Sequence, residues 1–401
     1  CRGFRREAQA QLDGQVTMGA AGAGPLSGIR VVEFAGIGPG PFCGMMLADH
    51  GAEVIRIDRA SGGRGGSQPV THKDVLARGR KSIAIDLKSA AGVALARRIA
   101  ASADGVIEGF RPGVMERLGL GPEELLKDNP KLVYGRMTGW GQTGPYAPYA
   151  GHDINYIALA GALAHFGRVG GKPTPPINMV GDFGGGGMML AFGMVNALLH
   201  VARGGAGQVI DCAMTDGTAV LMAMVHGMKN IGLWSEELGA NMLDTGAHFY
   251  DVYETADGKF ISIGSIEPQF YAELRRLAGL EDDRAFDAQH DRSQWPALKD
   301  KLAALFKSRT RAEWDEAMEH TDVCYAPVLT MSEAAAHPHN VARGTFVEVA
   351  GDLQPAPAPR YSATQTAVPA PAPMPGADSD AVLAALGLSD DERQSLRAAG
   401  T

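Results

Sequence analysis

The fold is decided by residues 29–58. They read Ile29-Arg-Val-Val-Glu-Phe34, then Gly36-Ile-Gly-Pro-Gly-Pro41, then a helical pattern from Phe42 to Asp49, then Glu53-Val-Ile-Arg-Ile-Asp58. A β-branched run, a loop rich in glycine and proline, a helical pattern and a second apolar run predict a strand, a loop, a helix and a strand. Strands that alternate with helices in this way predict an α/β fold with a doubly wound parallel sheet.

The loop after the first strand is similar to the phosphate-binding turn of Rossmann-like dinucleotide domains. That fingerprint requires a third glycine, and Pro41 or Phe42 stands at its position. The sequence therefore argues against a nicotinamide site with Asp58 as ribose ligand.

Later segments predict two further structural regions. Apolar runs that continue the parallel sheet occur at 82–86, 105–108, 132–136 and 207–214. The runs 250–255 and 259–264, joined by Ala256-Asp257-Gly258, predict a hairpin in a smaller α+β domain. We therefore expect a large domain over 24–230, a small domain over 231–330, and a C-terminal segment, 331–401, that returns to the large domain. Residues 1–23 are interpreted as a disordered or non-native extension, with Met18 as the natural start.

Composition narrows the class of protein. The chain has 401 residues, 45% hydrophobic and 20% charged, and a net charge of −8, so nucleic acid is not an expected partner. Its four cysteines, Cys1, Cys43, Cys212 and Cys324, form no metal-binding cluster, which favours a reduced cytoplasmic protein. The apolar stretch 183–202 holds four consecutive glycines, Asn196 and His200, and we expect a buried core helix there rather than a membrane span.

Two candidate acid/base residues lie in the glycine-rich region between Gly139 and Gly187. His152 and Asp182 each precede a helical pattern, and each is flanked by glycine, which permits close approach of a ligand to the backbone. Such a pair could remove a proton from one face of a carbon and return one to the other. The alternatives are that Asp182 is only a helix N-cap and that His152 is only a satisfied polar residue.

A basic stretch within this acidic chain suggests an anion site. Residues 56–88 contain eight arginines and lysines, among them Arg59 and Arg80, and Arg111 and Arg117 follow the strand that ends at Glu108. Arginine binds phosphate oxygens through two parallel hydrogen bonds, so a phosphorylated small molecule is the expected ligand. The alternative is a solvated charged surface.

Several motifs together resemble the family III CoA-transferase superfamily, and within it the α-methylacyl-CoA racemases. They are Gly24-Pro-Leu-Ser-Gly-Ile-Arg-Val-Val-Glu33, Glu108-Gly-Phe-Arg-Pro-Gly-Val114, Arg117-Leu-Gly-Leu-Gly121, Met137-Thr-Gly-Trp-Gly-Gln-Thr-Gly144, Gly151-His-Asp-Ile-Asn-Tyr156 and Gly181-Asp-Phe183. The resemblance covers nearly the whole chain from about Gly24 to Ala399.

The resemblance implies a reaction and a set of residues. It implies 1,1-proton transfer between (2R)- and (2S)-2-methylacyl-CoA through an enolate, with no cofactor beyond the coenzyme A of the substrate and no membrane partner. His152 and Asp182 would be the acid/base pair, and Glu267, from the other subunit of an interlocked homodimer, would hold His152. Coenzyme A would be bound by Arg59, Arg80, Arg111, Arg117, Gly151, Asp153 and Tyr156.

The sequence leaves two rival functions open. Asp153 lies at or near the place where the CoA-transferases carry a carboxylate nucleophile, so CoA transfer between acids is the first alternative. A non-catalytic acyl-CoA binder is the second. The methionines that are frequent from Met188 to Met242 either fill core gaps or line a slot for the acyl chain.

Overall fold

A computed structural model describes residues 22–60 and 71–398, with Ala398 only in its backbone. The predicted extension over residues 1–23 lies almost wholly outside these residues, as does the glycine-rich part of the basic stretch around Arg64. The described chain forms two compact units. The first contains residues up to 160, 177–221 and 338 onward; the second contains 161–176 and 222–337. The sequence predicts domain boundaries after residues 230 and 330. These boundaries refer to domains that fold independently, and they stay predictions.

The first unit is built on a parallel sheet, which confirms the predicted doubly wound α/β fold. Among the described residues this sheet has six strands in the order β3-β2-β1-β4-β5-β6. The strands are β1 (Arg30–Phe34), β2 (Glu53–Arg59), β3 (Arg80–Ile85), β4 (Gly105–Glu108), β5 (Val133–Thr138) and β6 (Gln208–Ala213). The predicted strands agree with these to within two residues at their ends, because each is a short run between turn residues and all but β6 are largely buried.

Helices cover both faces of this sheet. A core of Ile55, Ile99 and Tyr134 lies on one face, and a core of Val31, Leu47 and Met194 lies on the other. The helices of this unit are Pro39–Asp49, Ala90–Ala101, Val114–Arg117, Pro122–Asp128, Asp153–Leu159, the π-helix Met179–Met188, Met189–Ala202, Met214–Leu221, Pro338–Arg343, Ser379–Ala385 and Asp390–Ala398.

The strand order reverses direction at β1. The chain runs outward from β1 through β2 to β3, then returns to pair β4 with the other side of β1. The loops that follow β1 and β4 therefore diverge at the carboxyl edge of the sheet. Open α/β sheets bind ligands in the crevice that such a reversal creates.

Buried ion pairs account for much of the basic stretch. Arg80 binds Glu33, with 3.1 Å between Nε and Oε2, and neither side chain is accessible to solvent. Arg78 binds Asp49 and Arg56 binds Asp58 in the same buried manner. The interpretation of residues 56–88 as an electropositive surface therefore does not apply to these three arginines. A buried charge must be paired, and Glu33, Asp49 and Asp58 supply the partners of these three arginines.

The glycine run at 184–187 lies inside the π-helix. Glycine is required there because two neighbouring helices, Pro39–Asp49 and Met214–Leu221, approach its backbone. A Cβ on Gly185 would lie 2.7 Å from the Thr218 nitrogen, and a Cβ on Gly187 would lie 2.8 Å from the Pro39 oxygen. A Cβ on Gly217 would in turn lie 1.8 Å from the Gly185 oxygen. The π-helix and helix Met214–Leu221 therefore cross in backbone contact.

The apolar stretch predicted as a buried core helix is buried on one face only. Met179–Ala202 is continuous and, by length and composition alone, could cross a membrane, as the buried helix of a folded core also could. Leu190, Met194 and Leu198 are buried against the sheet. The opposite face exposes Met188, Phe192, Val195 and Leu199, which follow one another at intervals of four, three and four residues. This exposed apolar stripe has no partner within the described part of the first unit.

The C-terminal segment belongs to the first unit from residue 338 onward and is anchored beside and on β3. The backbone N–H of Ser82 donates to Asp378 Oδ2 at 2.8 Å, and the N–H of Gly79 donates to the Ala370 carbonyl at 2.9 Å. Earlier in this segment, Phe346–Val349 and Asp352–Pro355 form a short antiparallel hairpin.

The second unit is a small α+β assembly, as predicted. The hairpin Tyr250–Glu254 and Phe260–Gly264 forms as expected, and Tyr325–Pro327 adds an antiparallel third strand that the sequence did not predict. Its described helices are Ala223–Asn230, Pro268–Leu277, Trp295–Phe306, Arg311–Met318 and Met331–Ala336.

A buried histidine lies in the core of this unit. His248 is fully buried, and its Nε2 is 2.7 Å from the hydroxyl of Tyr271. Its Nδ1 has no hydrogen-bond partner in the described structure. Burial lowers the pKa of His248 to about 4, and the positive charges of Lys299 and His290 act in the same direction. The fold therefore holds this side chain neutral.

Replacement of Gly217 by alanine should destabilise the first unit. The added methyl group would collide with the Gly185 backbone, which cannot move as a side-chain tip can, so we expect a loss of about 1–3 kcal/mol in the free energy of unfolding. Urea denaturation followed by circular dichroism measures this loss. Gly227→Ala is the matched control, because Gly227 is also helical but faces open space. Equal stability of the Gly217→Ala and Gly227→Ala variants would contradict the proposed backbone contact.

Stability of the second unit should fall as the pH is lowered from about 6.5 to about 4. The unfolded chain takes up a proton on His248 first, because the folded state has the lower pKa, so acid favours unfolding. Urea midpoints followed by the fluorescence of the buried Trp295 and Trp314 measure the trend. His248→Gln should flatten it, whereas replacement of the exposed His339 should not. Parallel pH curves for the wild type and His248→Gln would refute this assignment.

Candidate active site

Asp182 lies beside the loop that follows β1. It is the fourth residue of the π-helix and not the N-cap that precedes a helix, so the reading of Asp182 as only a cap is wrong. A Cβ on Gly38 would lie 3.2 Å from Asp182 Oδ2, so the glycine of the β1 loop leaves room for this carboxyl group. The π-helix therefore brings Asp182 to the reversal point of the sheet. Such helices frequently occur at functional sites.

His152 is the N-cap residue of helix Asp153–Leu159. Its backbone N–H donates to the side-chain oxygen of Asn155 at 3.0 Å, which fixes the chain at the start of that helix. The side chain of His152 is exposed. Its charge acts on Asp182 and lowers the pKa of that carboxyl group. The structure thus brings the two predicted acid/base residues into each other's electrostatic range.

Asp153 connects the two elements that carry this pair. The backbone N–H of Asp182 donates to Asp153 Oδ2 at 2.8 Å. Asp153 is 6% exposed, and its Oδ1 has no hydrogen-bond partner among the described residues. A Cβ on Gly181 would lie 2.5 Å from Asp153 Oδ2, so glycine before Asp182 is needed for this contact.

The carboxyl group of Asp182 has a raised pKa. Burial is the largest cause, and the negative charge of Asp153 adds to it. A hydrogen bond of 3.0 Å from the Asn178 amide to Asp182 Oδ2 and the charge of His152 partly offset the rise. A raised pKa brings a carboxyl group closer to the range in which it can both donate and accept a proton near neutrality.

Tyr156 lies one turn further along the helix that begins at Asp153. Its ring packs edge-on against Trp140, with 4.7 Å between ring centroids. A Cβ on Gly139 would lie 2.0 Å from this ring and one on Gly151 2.7 Å from it, so both motif glycines make room for aromatic packing. Burial raises the pKa of Tyr156 to about 12, the charge of Asp182 adds to the rise, and Arg111 opposes it. Tyr156 therefore lies within range of both charges.

Arg111 and Arg117 lie on the segment that follows β4. Both are exposed, and the Arg117 guanidinium lies above Gly113. Glu108 holds the start of this segment, because its Oε2 accepts the Phe110 N–H at 2.7 Å. Arg59 is the exposed last residue of β2, at the same edge of the sheet. The described part of the carboxyl edge therefore presents three arginines to solvent.

Two predicted site residues lie elsewhere. Arg80 is fully buried, with its guanidinium bound to Glu33 and to the carbonyls of Arg78 and Pro41. This leaves no solvent-facing donor for a phosphate, so the prediction that Arg80 binds coenzyme A does not fit the structure. Glu267 lies in the second unit, where it is the exposed N-cap of helix Pro268–Leu277.

The geometry revealed participants that the motifs did not suggest. Asn178 binds Asp182, and Gly38 leaves space for it. Arg136 bridges Glu108 and Glu116 behind the Arg111 segment, at 3.0 and 2.7 Å. The spacing of Asn178 four residues before Asp182 is a helical signal, but it was not used because the helix was expected to start after Asp182.

The arrangement suits proton transfer. An exposed imidazole and a half-buried carboxyl group of raised pKa lie at the reversal point of the sheet, with a phenol and an arginine nearby. In the described part of the chain, no group of three or more histidine, cysteine and acidic side chains is arranged to hold a metal ion.

Comparison with known proteins identifies the family. The profile of CoA-transferase family III matches residues 26–379. The chain is 49% identical to the α-methylacyl-CoA racemase of Mus musculus over 340 residues, which are 84% of this chain and 87% of that protein. It is 46% identical to the human protein of the same name over 337 residues, 83% of this chain and 86% of that one.

A solved structure agrees with this assignment. The crystal structure of a CAIB/BAIF family protein from Brucella suis superposes with a TM-score of 0.78 at 28% sequence identity. The match covers 91% of this chain and all of that one. The resemblance inferred from the motifs is therefore confirmed, and the chain belongs to CoA-transferase family III.

Proposed function

We propose that this protein is an isomerase that interconverts the (2R) and (2S) epimers of 2-methylacyl-CoA thioesters. One observation carries the proposal: His152 lies close enough to Asp182 for its charge to act on that carboxyl group, whose pKa is raised by burial. The names of the mouse and human relatives support the same reaction and substrate class.

The proposed reaction removes a proton from one face of a carbon and delivers a different proton to the other face. The deprotonated member of the pair removes the hydrogen at C2 as a proton, and the electron pair moves to the thioester oxygen as an enolate. The protonated member then delivers its proton to the opposite face of C2. The enzyme keeps one proton in total, so the reaction balances and the pair must begin in opposite protonation states.

Coenzyme A is proposed to lie along the carboxyl edge of the sheet. Arg59, Arg111 and Arg117 are exposed there, and guanidinium groups bind phosphate oxygens strongly. Gly151 and Tyr156 line the approach to the acid/base pair in this proposal. Their packing against Trp140 makes that wall rigid.

CoA transfer through an acyl anhydride on Asp153 has less support. A nucleophile must reach the thioester carbon, but Asp153 is 6% exposed and one of its oxygens accepts the Asp182 N–H. Movement of Asp153 toward a substrate would break that hydrogen bond.

The homodimer is also part of the proposal. The exposed apolar stripe Met188, Phe192, Val195 and Leu199 is large for a surface that faces only water. A second copy of the chain would cover it. In this assembly Glu267, an exposed helix N-cap, is proposed to hold the imidazole of the other subunit's His152.

Deuterium incorporation tests the proposed reaction. With (2R)-2-methylacyl-CoA in deuterated buffer and no acceptor acid, we expect deuterium at C2 together with the (2S) epimer, both measured by NMR. His152→Ala and Asp182→Asn should each lower epimer interconversion by roughly 10²–10⁴-fold. Each should also retain exchange with only one epimer, a different one in each variant, because one face keeps its base.

Controls separate the alternatives. His339→Ala, at an exposed site in the first unit, should behave as wild type. A CoA-transferase would show neither exchange nor epimerisation without an acceptor acid. A non-catalytic binder would show no difference between wild type and the two variants except in affinity for acyl-CoA.

Subunit mixing tests the role of Glu267. His152→Ala and Glu267→Ala homodimers should both be impaired, and random mixing of the two should restore about one quarter of wild-type activity. Half of the dimers would be mixed, and each would contain one intact site. Activity no higher than the parental average would show that Glu267 does not act across the subunits.

A further inference from the structure

We propose that Asp153 is a positioning residue for Asp182: its buried carboxylate fixes the Asp182 backbone, and its negative charge favours the protonated form of the Asp182 side chain. The inference rests on the proposed epimerisation. It gives Asp153 a role other than nucleophile or coenzyme A ligand.

The geometric basis is the contact between two helix starts. Asp153 is the first residue of its helix and Asp182 lies in the first turn of the π-helix, and the 2.8 Å hydrogen bond between Asp182 N–H and Asp153 Oδ2 joins them. His152 directly precedes Asp153, so the same contact sets the position of one acid/base residue relative to the other. Rigid support of this kind is what a reacting pair requires.

The close packing of Gly181 makes the contact specific. A Cβ at this position would lie 2.5 Å from Asp153 Oδ2 and 3.0 Å from the side chain of Ile157. The carboxylate therefore occupies the volume in which a side chain of residue 181 would stand. Any larger residue would have to push Asp153 off the Asp182 amide.

The second carboxylate oxygen of Asp153, Oδ1, contributes to the electrostatic effect on Asp182. Oδ1 is buried and has no hydrogen-bond partner among the described residues, so its negative charge is poorly compensated. Two carboxyl groups that share a site disfavour each other's ionisation. Asp153 contributes in this way to the raised pKa of Asp182, after burial.

The other charged groups around the π-helix do not replace this interaction. Among the described residues, Asp153 and His152 are the ones whose charges act on Asp182, and Arg136 is already bound to Glu108 and Glu116. The described elements that pack against the π-helix carry the following titratable residues: Cys43 and Asp49, Tyr134 and Arg136, Asp153 and Tyr156, His200, Asp211 and Cys212, and Asp216.

A pH profile distinguishes this role from a merely structural one. The acid/base pair is active while it holds one proton, so the acidic limb of the profile reports loss of the first of its two protons. Asp153→Asn keeps an oxygen that can accept the Asp182 N–H but removes the charge. We expect the acidic limb of kcat for C2 deuterium exchange to move down by roughly half to one pH unit.

Two further variants isolate the hydrogen bond. Asp153→Ala removes both the charge and the acceptor, so it should show the same shift and a kcat at least about tenfold below that of Asp153→Asn. Gly181→Ala keeps the charge but displaces the carboxylate, so it should lower kcat even if the Asp153 variants fold poorly. Asp104→Asn is the matched control, because Asp104 also accepts a backbone N–H, that of Arg30, at the opposite edge of the sheet.

The outcomes separate this inference from the proposed function. If the wild type exchanges no C2 hydrogen, the proposed function fails. If the wild type exchanges but Asp153→Asn has the same acidic limb as wild type and Asp104→Asn, the inference is overturned. Wild-type kcat in Gly181→Ala would also overturn it. Complete loss of exchange in a folded Asp153→Asn variant would instead assign Asp153 a direct chemical role.

Discussion

The site depends on the close packing of backbones that the glycines of the π-helix permit. Gly185 packs against Gly217, and Gly187 packs against Pro39. These backbones are so close that a Cβ atom at Gly217 or Gly187 would collide with the neighbouring backbone. This packing carries Asp182 to the loop after β1, where the strand order of the sheet reverses. A helix with side chains at these positions would have to stand further away, since helices packed through side chains lie roughly 8–10 Å apart. The position of the Asp182 carboxyl group therefore depends on the absence of side chains at these glycines.

Charge is distributed differently on the two sides of the carboxyl edge. Within the sheet, Arg56, Arg78 and Arg80 are buried in ion pairs, and removal of any single partner would leave an unpaired charge. At the carboxyl end of β2 and in the segment after β4, Arg59 and Arg111 are exposed. The same residue type thus stabilises the framework in one place and is available to an anion in another. The distance from the carboxyl edge determines which role applies, because Arg59 stands at the very end of its strand whereas Arg56 and Arg80 stand further inside the sheet.

The sequence predicts regular elements better than long-range partners. Strands such as β4 could be predicted because a short apolar run between turn residues rarely adopts any structure other than a buried strand. The strand Tyr325–Pro327 was missed because three residues carry too little pattern to predict. Arg80 was assigned to a phosphate because its partner Glu33 lies 47 residues away in the chain. Likewise, the π-helix could not be predicted as such, since the spacing of Asn178 and Asp182 is compatible with a helix but does not distinguish its widened turns from an ordinary helix.

The link between Asp153 and Asp182 also bears on how one fold can serve two chemistries. A carboxylate directly after His152 can attack a thioester only if it is free to leave its burial site. Here Gly181 and the Asp182 amide hold it in place, and its charge is directed at a second carboxyl group. Because that second group is half-buried and has a raised pKa, it is suited to proton exchange rather than to bond formation with carbon. On this reasoning, the packing around residue 181 decides whether the aspartate after His152 serves as a nucleophile or as a support.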